Sequence, residues 1–352
     1  MPSKLRKPVL FFSSLLHGGG RTFVETYAES MQGVEITLCT LYDNSFTKEL
    51  ALRLGLSARS ILDIELLLDP NTLVLSNSQA CAAIGAIMYP GRHCYVTHGY
   101  ANGLPYAPIW RRWLWTLQAN LPGTRLIACG DSERDTIAKL TLSKKRVKLI
   151  RNGLPQKVLK YDDNSLATNR NTLPKTHLVY IGRISFQKGI DILLRALELP
   201  ALRQRKITLS IIGNYQEREH KYCSEVRKLI QRSPAKVELL EPQQINKTFF
   251  QRFSALVAPS RFEGLPYTIL EAAYSGIPIV LSDCRGNRDI APDESYAYGF
   301  KSNDEFSLAD ALLRFLDADT EDIKHRVDLM QRRVVSEFST SSFRDEYLKL
   351  LQ

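Results

Sequence analysis

Short apolar runs alternate along the chain with longer stretches in which apolar residues recur every three to four positions. PVLFFSSLL (8–16) predicts a first strand, followed by three glycines. A helix is expected from Thr22, where Phe23, Val24, Tyr27, Ala28 and Met31 share one face and Gly33 ends the period. VEITLCTLY (34–42), TLVLS (72–76), CYVTHG (94–99), LIACG (126–130) and VKLIRNG (147–153) predict further strands. Between them fall a small-residue helix through Ala86 and ERDTIAKL, a helix capped near Asp131 and Ser132. Residues 156–176 are rich in Asn, Asp, Lys and Thr and read as an exposed linker.

A second series follows. HLVYIGR (177–183), ITLSIIG (207–213), KVELL (236–240), SALVAP (254–259) and IPIVLSD (277–283) predict strands, with TILEAAYS (268–275) a helix stopped by Gly276. Alternating strands and helices imply an α/β fold with parallel sheets covered on both faces. Two such series predict two Rossmann-like lobes facing across a cleft. The expected boundaries are 1–156 and 157–336, with a last helix over 337–352. The length, 352 residues, suits two domains.

Composition narrows the class. Apolar residues make up 44% and charged residues 24%, enough for two cores, which excludes disorder and coiled coil. Lys and Arg exceed Asp and Glu, 47 to 37, a net charge of +10 that suits an anionic partner. No nucleic-acid-binding module accompanies that charge, so no nucleic-acid partner is expected. Six dispersed cysteines, none in a C-x-x-C pair, read as buried free thiols, and no zinc-ligand spacing occurs. The basic N-terminus leads into a strand-like run and not a signal peptide. The longest uncharged stretch, 71–91, carries Ser76, Asn77, Ser78 and Gln79, against the roughly 20 predominantly apolar residues a membrane span needs. The expectation is a cytoplasmic protein, at most peripheral on a membrane surface.

Two segments of the second half carry chemistry. In YIGRISFQKGIDILLRAL a strand ends at Gly182, and Arg183 and Lys188 precede a helix. Ligands of open α/β sheets bind beyond the carboxyl ends of strands, where two cations could clamp a diphosphate. In APSRFEGLPYTILEAAYSGIPIVLSD, Glu263 and Gly264 lie in a loop after a strand, and Pro266 is expected as the first helical residue. Glu271 falls inside that helix among apolar neighbours.

These stretches resemble the Glu-x7-Glu signature of retaining glycosyltransferases of family four, which have the GT-B fold. GGG at 18–20, LIRNGL at 149–154 and YIGRISFQKGID at 180–191 match in the expected order, and EFSTSSFRDEYLKLL (337–351) resembles the family's last helix. The resemblance implies that Arg183 and Lys188 hold a donor diphosphate, that Glu263 contacts the transferred sugar, and that Glu271 bonds the ribose hydroxyls. It also brings the amides of Gly264 and Leu265 to the donor, Gly19 and Gly20 to its phosphates, and His98 to its sugar. Arg21, directly after the glycines, departs from the family's pattern. No metal and no other cofactor is expected, and the donor's charge would be met by cations and helix N-termini.

All three tryptophans fall in PIWRRWLWTLQ. Trp110 and Trp113, interleaved with Arg111 and Arg112, read as an interfacial anchor, with Lys4, Arg6 and Lys7 assisting. The bland reading packs the tryptophans inward. The expected activity is hexosyl or N-acetylhexosaminyl transfer from a nucleotide sugar, with UDP the commonest carrier in the family. The acceptor would be a glycan or lipid-linked molecule of cell-envelope polysaccharide or lipopolysaccharide synthesis. A transferase making a soluble glucan or disaccharide, and a non-catalytic nucleotide-sugar-binding or scaffold protein, remain as alternatives. A nicotinamide dehydrogenase is disfavoured, since no G-x-G-x-x-G follows a strand.

Overall fold

The computed structural model describes residues 5–12, 19–41, 45–159, 174–243 and 245–352. The chain divides into two compact units, Met1–Gln156 together with Ser339–Gln352, and Lys157–Phe338. The first unit is thus built from two separate stretches of chain.

In the first unit the described strands are β1 (Lys7–Phe11), β2 (Thr37–Thr40), β3 (Ser57–Ser60), β4 (Thr72–Ser76), β5 (His93–Val96), β6 (Thr124–Ala128) and β7 (Val147–Leu149). They form one parallel sheet in the order β3-β2-β1-β4-β5-β6-β7. The second unit holds β8 (His177–Ile181), β9 (Thr208–Ile212), β10 (Lys236–Leu240), β11 (Ala255–Ala258), β12 (Ile279–Ser282) and β13 (Tyr298–Phe300). Its order is β10-β9-β8-β11-β12-β13, again parallel throughout. Each sheet reverses its winding direction once, between β1 and β4 and between β8 and β11. Such switch points leave a crevice at the carboxyl ends of the two central strands.

The cores follow from the strand composition. Strands covered on both faces are buried at nearly every position, as in β4 and β9. In the second unit Leu178, Tyr180, Leu209, Ile211, Val257 and Val280 pack with the helix Ile190–Glu198, seven of whose nine residues are buried. In the first unit the rings of Phe23 and Tyr27 meet those of Phe343 and Tyr347 on the helix Thr340–Leu351, with centroids 4.9 to 6.3 Å apart. Thr340 Oγ1 donates to the Leu154 carbonyl at 2.7 Å, and the Arg6 amide donates to the Leu351 carbonyl at 3.0 Å. The expected last helix, 337–352, is in fact the helix Thr340–Leu351, because Glu337 still belongs to the preceding helix Thr320–Glu337.

Other boundaries differ for physical reasons. The helix expected from Thr22 begins at Gly19, and Gly18 lies outside the described residues, as does Lys4. Pro266 is the N-cap residue with an extended backbone, and the helix starts at Tyr267. The linker expected over 156–176 opens with a short helix, Gln156–Leu159, held by the fully buried Val158. All six cysteines are free and buried. No helix among the described residues is long and apolar enough to cross a membrane.

Candidate active site

The carboxyl ends of β8 and β11 bring two loops together at the switch point of the second unit. After β8 the chain runs through Arg183 to Lys188 and turns into the helix Ile190–Glu198 at Gly189, which has φ +66°. A Cβ at Gly189 would lie 2.1 Å from the Pro259 carbonyl oxygen, so only glycine lets this loop close onto the one after β11. The loops are then zipped by backbone bonding. The Arg261 amide donates to the Gln187 carbonyl at 2.8 Å, and Gln187 Nε2 donates to the Phe262 carbonyl at 3.2 Å.

This closure places Lys188 Nζ 2.6 Å from Glu263 Oε1, and Ser260 Oγ donates to the same oxygen at 2.6 Å. Glu263 is only 5% exposed, so these partners replace the water that a surface carboxylate would bind. Arg183 stays exposed, its guanidinium on Gln187 Oε1 at 3.2 Å and its carbonyl accepting from the Tyr180 hydroxyl at 2.8 Å. Gly264 and Leu265 are buried beside Glu263, and a Cβ on Gly286 would lie 2.3 Å from the Gly264 carbonyl oxygen. Glu271, in the helix Tyr267–Tyr274, is 2% exposed and pairs with Lys157 Nζ at 2.8 Å.

Beneath the loops lies a pair that the sequence reading missed. Arg261 makes a bidentate contact with Asp191, at 2.9 and 2.7 Å, and both side chains are buried. The same guanidinium donates to the Phe186 carbonyl at 2.8 Å and to Asn303 Oδ1 at 2.9 Å, and it covers the Phe186 ring. Burial alone would raise the Asp191 pKa, but hydrogen bonds from Arg261 and then Tyr222 outweigh it and hold the carboxyl below its usual range. Arg261 therefore ties the Arg183–Lys188 loop to the Glu263 loop.

The remaining predicted residues lie in the first unit. Gly19 and Gly20 open the helix Gly19–Ser30, and Arg21 is drawn to Glu25 at 2.9 Å. His98 follows β5 with φ +46°, an unusual backbone for a non-glycine residue. Its ring packs edge-on against Phe23 at 4.6 Å, and its Nδ1 is 3.4 Å from Cys129 Sγ. Its Nε2 is buried with no hydrogen-bond partner among the described residues. Glu133, fully buried under this turn, accepts from the Cys129 amide at 3.2 Å. Burial pushes its pKa up to about 7, against hydrogen bonds from Thr97 and the backbone of Cys129, Gly99 and Ala101.

Burial holds His98 and His93 neutral, each lowered from 6.5 to about 4. The unfolded chain therefore binds more protons at each histidine between those values, so stability falls as pH drops through that window. Glu133 acts in the opposite sense between 4.5 and about 7, because its folded form holds the proton more tightly. Two histidines against one carboxyl leave a net loss of stability, on the order of 1 kcal/mol per pH unit, on acidification from 6.5 to 4.5. All three tryptophans report on the first unit, so urea unfolding followed by their fluorescence measures this slope. His93→Gln should nearly flatten it; an unaltered slope rejects the assignment.

In the helix Ile109–Ala119, Trp115 is fully buried against Tyr95, Leu126 and Ile137. Trp110 and Trp113 are not: they are 62% and 74% exposed, alongside Ile109, Leu114 and Leu117. The inward reading thus holds for one tryptophan, and the other two join an apolar face turned to solvent. Arg111 lies over the Trp110 ring, while Arg112 donates to the carbonyls of Ala107, at 3.1 Å, and Pro105.

Comparison with known proteins agrees with this architecture. Residues 175–318 match the family model described as glycosyl transferases group 1. The amylovoran biosynthesis glycosyltransferase AmsD of Erwinia amylovora is 24% identical over 134 residues, 38% of this chain and 37% of that protein. A glycogen synthase of Mycobacterium tuberculosis is 26% identical over 216 residues, 60% of this chain and 50% of that protein. The matched segments thus span a third to a half of these curated relatives. Among solved structures, Anabaena Alr3699/HepE in complex with UDP and glucose superposes with a TM-score of 0.79 at 17% identity, covering 98% of this chain and 99% of that one. The likeness defines the fold: two parallel-sheet Rossmann-like domains, the architecture of GT-B glycosyltransferases.

Proposed function

We propose that the protein is a retaining, metal-independent glycosyltransferase. It moves a hexose or N-acetylhexosamine from a nucleotide sugar, UDP-linked, to a glycan or lipid-linked acceptor in cell-envelope polysaccharide or lipopolysaccharide synthesis. The observation that carries this reading is the convergence of Lys188 and Ser260 on the buried Glu263 at the β8/β11 switch point, with Arg183 on the same loop as Lys188. Arg183 and Lys188 would meet the charge that develops on the departing diphosphate. Glu263 and the amides of Gly264 and Leu265 would hold the sugar, and Glu271 the ribose. The orphaned Nε2 of His98 is a ready hydrogen-bond partner for a sugar hydroxyl, and Gly19 and Gly20 would approach the donor's phosphates, as the resemblance implies. Retention follows from attack on the face the diphosphate leaves. The acceptor oxygen bonds to the anomeric carbon, the glycosidic C–O bond to phosphate breaks, and a phosphate oxygen takes the acceptor's proton.

The names of two relatives support glycan synthesis, one for amylovoran and one for glycogen. The exposed face of Ile109–Ala119 favours the membrane-associated product over a soluble glucan, since Ile109, Trp110, Trp113, Leu114 and Leu117 all face water. Burying each in a lipid interface gains up to about 1.5–3 kcal/mol, and Arg111 adds attraction to anionic head groups. In our reading the enzyme works peripherally at the cytoplasmic face of the plasma membrane, and that exposed face supports it.

Two experiments test the proposal. Incubation with UDP-, GDP- and ADP-sugars, with and without EDTA, should give chelator-resistant transfer or hydrolysis of one donor; no turnover of any donor leaves only a binding protein. Co-sedimentation with phosphatidylglycerol vesicles should weaken about tenfold or more in the Trp110→Ala, Trp113→Ala double variant. Equal sedimentation of both proteins removes the membrane contact.

A further inference from the structure

We infer that Lys157 is a positioning residue for nucleoside recognition, fixing the carboxylate of Glu271 for the ribose hydroxyls. The inference rests on the role proposed above for Glu271 and adds a residue to it. Glu271 sits on a helix turn whose neighbours Ile269, Leu270, Ala272 and Ala273 are all buried. A cation held against a carboxylate in such surroundings favours one orientation of it. Lys157 Nζ does so at 2.8 Å, from a side chain that remains partly exposed.

The support of Lys157 is local and specific. It stands on the four-residue helix Gln156–Leu159, whose Val158 is fully buried and fixes the direction of the turn. A lysine ammonium carries three donors and no acceptor, so it can hold one carboxylate oxygen without competing for the hydroxyl protons of a sugar. A ribose diol donates two hydrogen bonds, and a carboxylate receives both only in one rotation about its terminal bond. Setting that rotation before the nucleotide arrives lowers the ordering cost of binding. Lys157 thus touches the recognition group and acts through it.

The test compares discrimination within one preparation, so the folded fraction of a variant cancels. Binding of UDP, GDP and ADP and of their 2′-deoxy forms is measured by calorimetry. Wild-type protein is expected to bind one ribonucleotide about ten- to a hundredfold more tightly than its deoxy form, the worth of a hydrogen bond to a charged group. Lys157→Met should reduce that ratio to below about fivefold, with Lys157→Arg restoring part of it. A Lys157→Met protein that keeps the wild-type ratio overturns the inference while leaving Glu271 in its role. A wild-type protein that does not discriminate removes the ribose role of Glu271 instead. Failure to bind any of the three diphosphates removes the nucleotide-sugar reading, and this inference with it.

Discussion

Lys188→Met is expected to lower kcat/KM for the donor by about a hundred- to a thousandfold, the scale seen when one preorganised group facing developing charge is removed. Two losses add. On the proposed role the diphosphate would lose a cation in its path of departure, and Glu263, buried and 2.6 Å from Nζ, loses its cationic partner. Ser260 still donates to Oε1. Lys188→Arg should recover part of the rate, because it restores charge while altering the geometry. Steady-state kinetics with the preferred donor decide the matter, and a loss under tenfold in Lys188→Met refutes the role.

The largest stability effect is expected at Arg261. Its buried bidentate pair with Asp191 leaves an uncompensated carboxylate when truncated, so Arg261→Leu should cost about 3–5 kcal/mol. Two apolar residues in place of the ion pair cost far less, so the Arg261→Leu, Asp191→Leu double variant should regain most of the loss. Hydrogen exchange of β8 and of the helix Ile190–Glu198 reads this directly in the second unit. Protection falling equally in single and double variants would mean the pair's charge is irrelevant. Activity should not recover in the double variant, since the guanidinium also holds the Phe186 carbonyl and the Phe186 ring.

Much of this architecture was legible in the sequence because parallel sheets write themselves as apolar runs. TLVLS and KVELL match β4 and β10 residue for residue. The misses were strands whose pattern carries no such signal. SARS, which forms β3, is a mostly exposed edge strand without apolar alternation, and YGF, which forms β13, spans only three residues. Glu263 and Glu271 stood out through their spacing about a glycine–proline helix start. Arg261 and Asp191 did not, because a buried ion pair leaves no periodic trace and its partners lie 70 residues apart. Lys157 was hidden by the polar stretch around it, which reads as solvated connection. Of the tryptophans, sequence alone could not say which would turn inward; the packing of Gln118 and Ala119 beside Trp115 decides it.

The helix Thr340–Leu351 has a consequence for how the protein is made. Phe343 and Tyr347 complete the aromatic packing around Phe23 and Tyr27, yet they are translated after every residue of Lys157–Phe338. A ribosome therefore releases the entire second unit before the first can close its core, reversing the usual amino-terminal-first order of biogenesis. Until then a nascent chain carries an open aromatic seam, and premature termination within those last residues leaves it permanently exposed to chaperones and proteases.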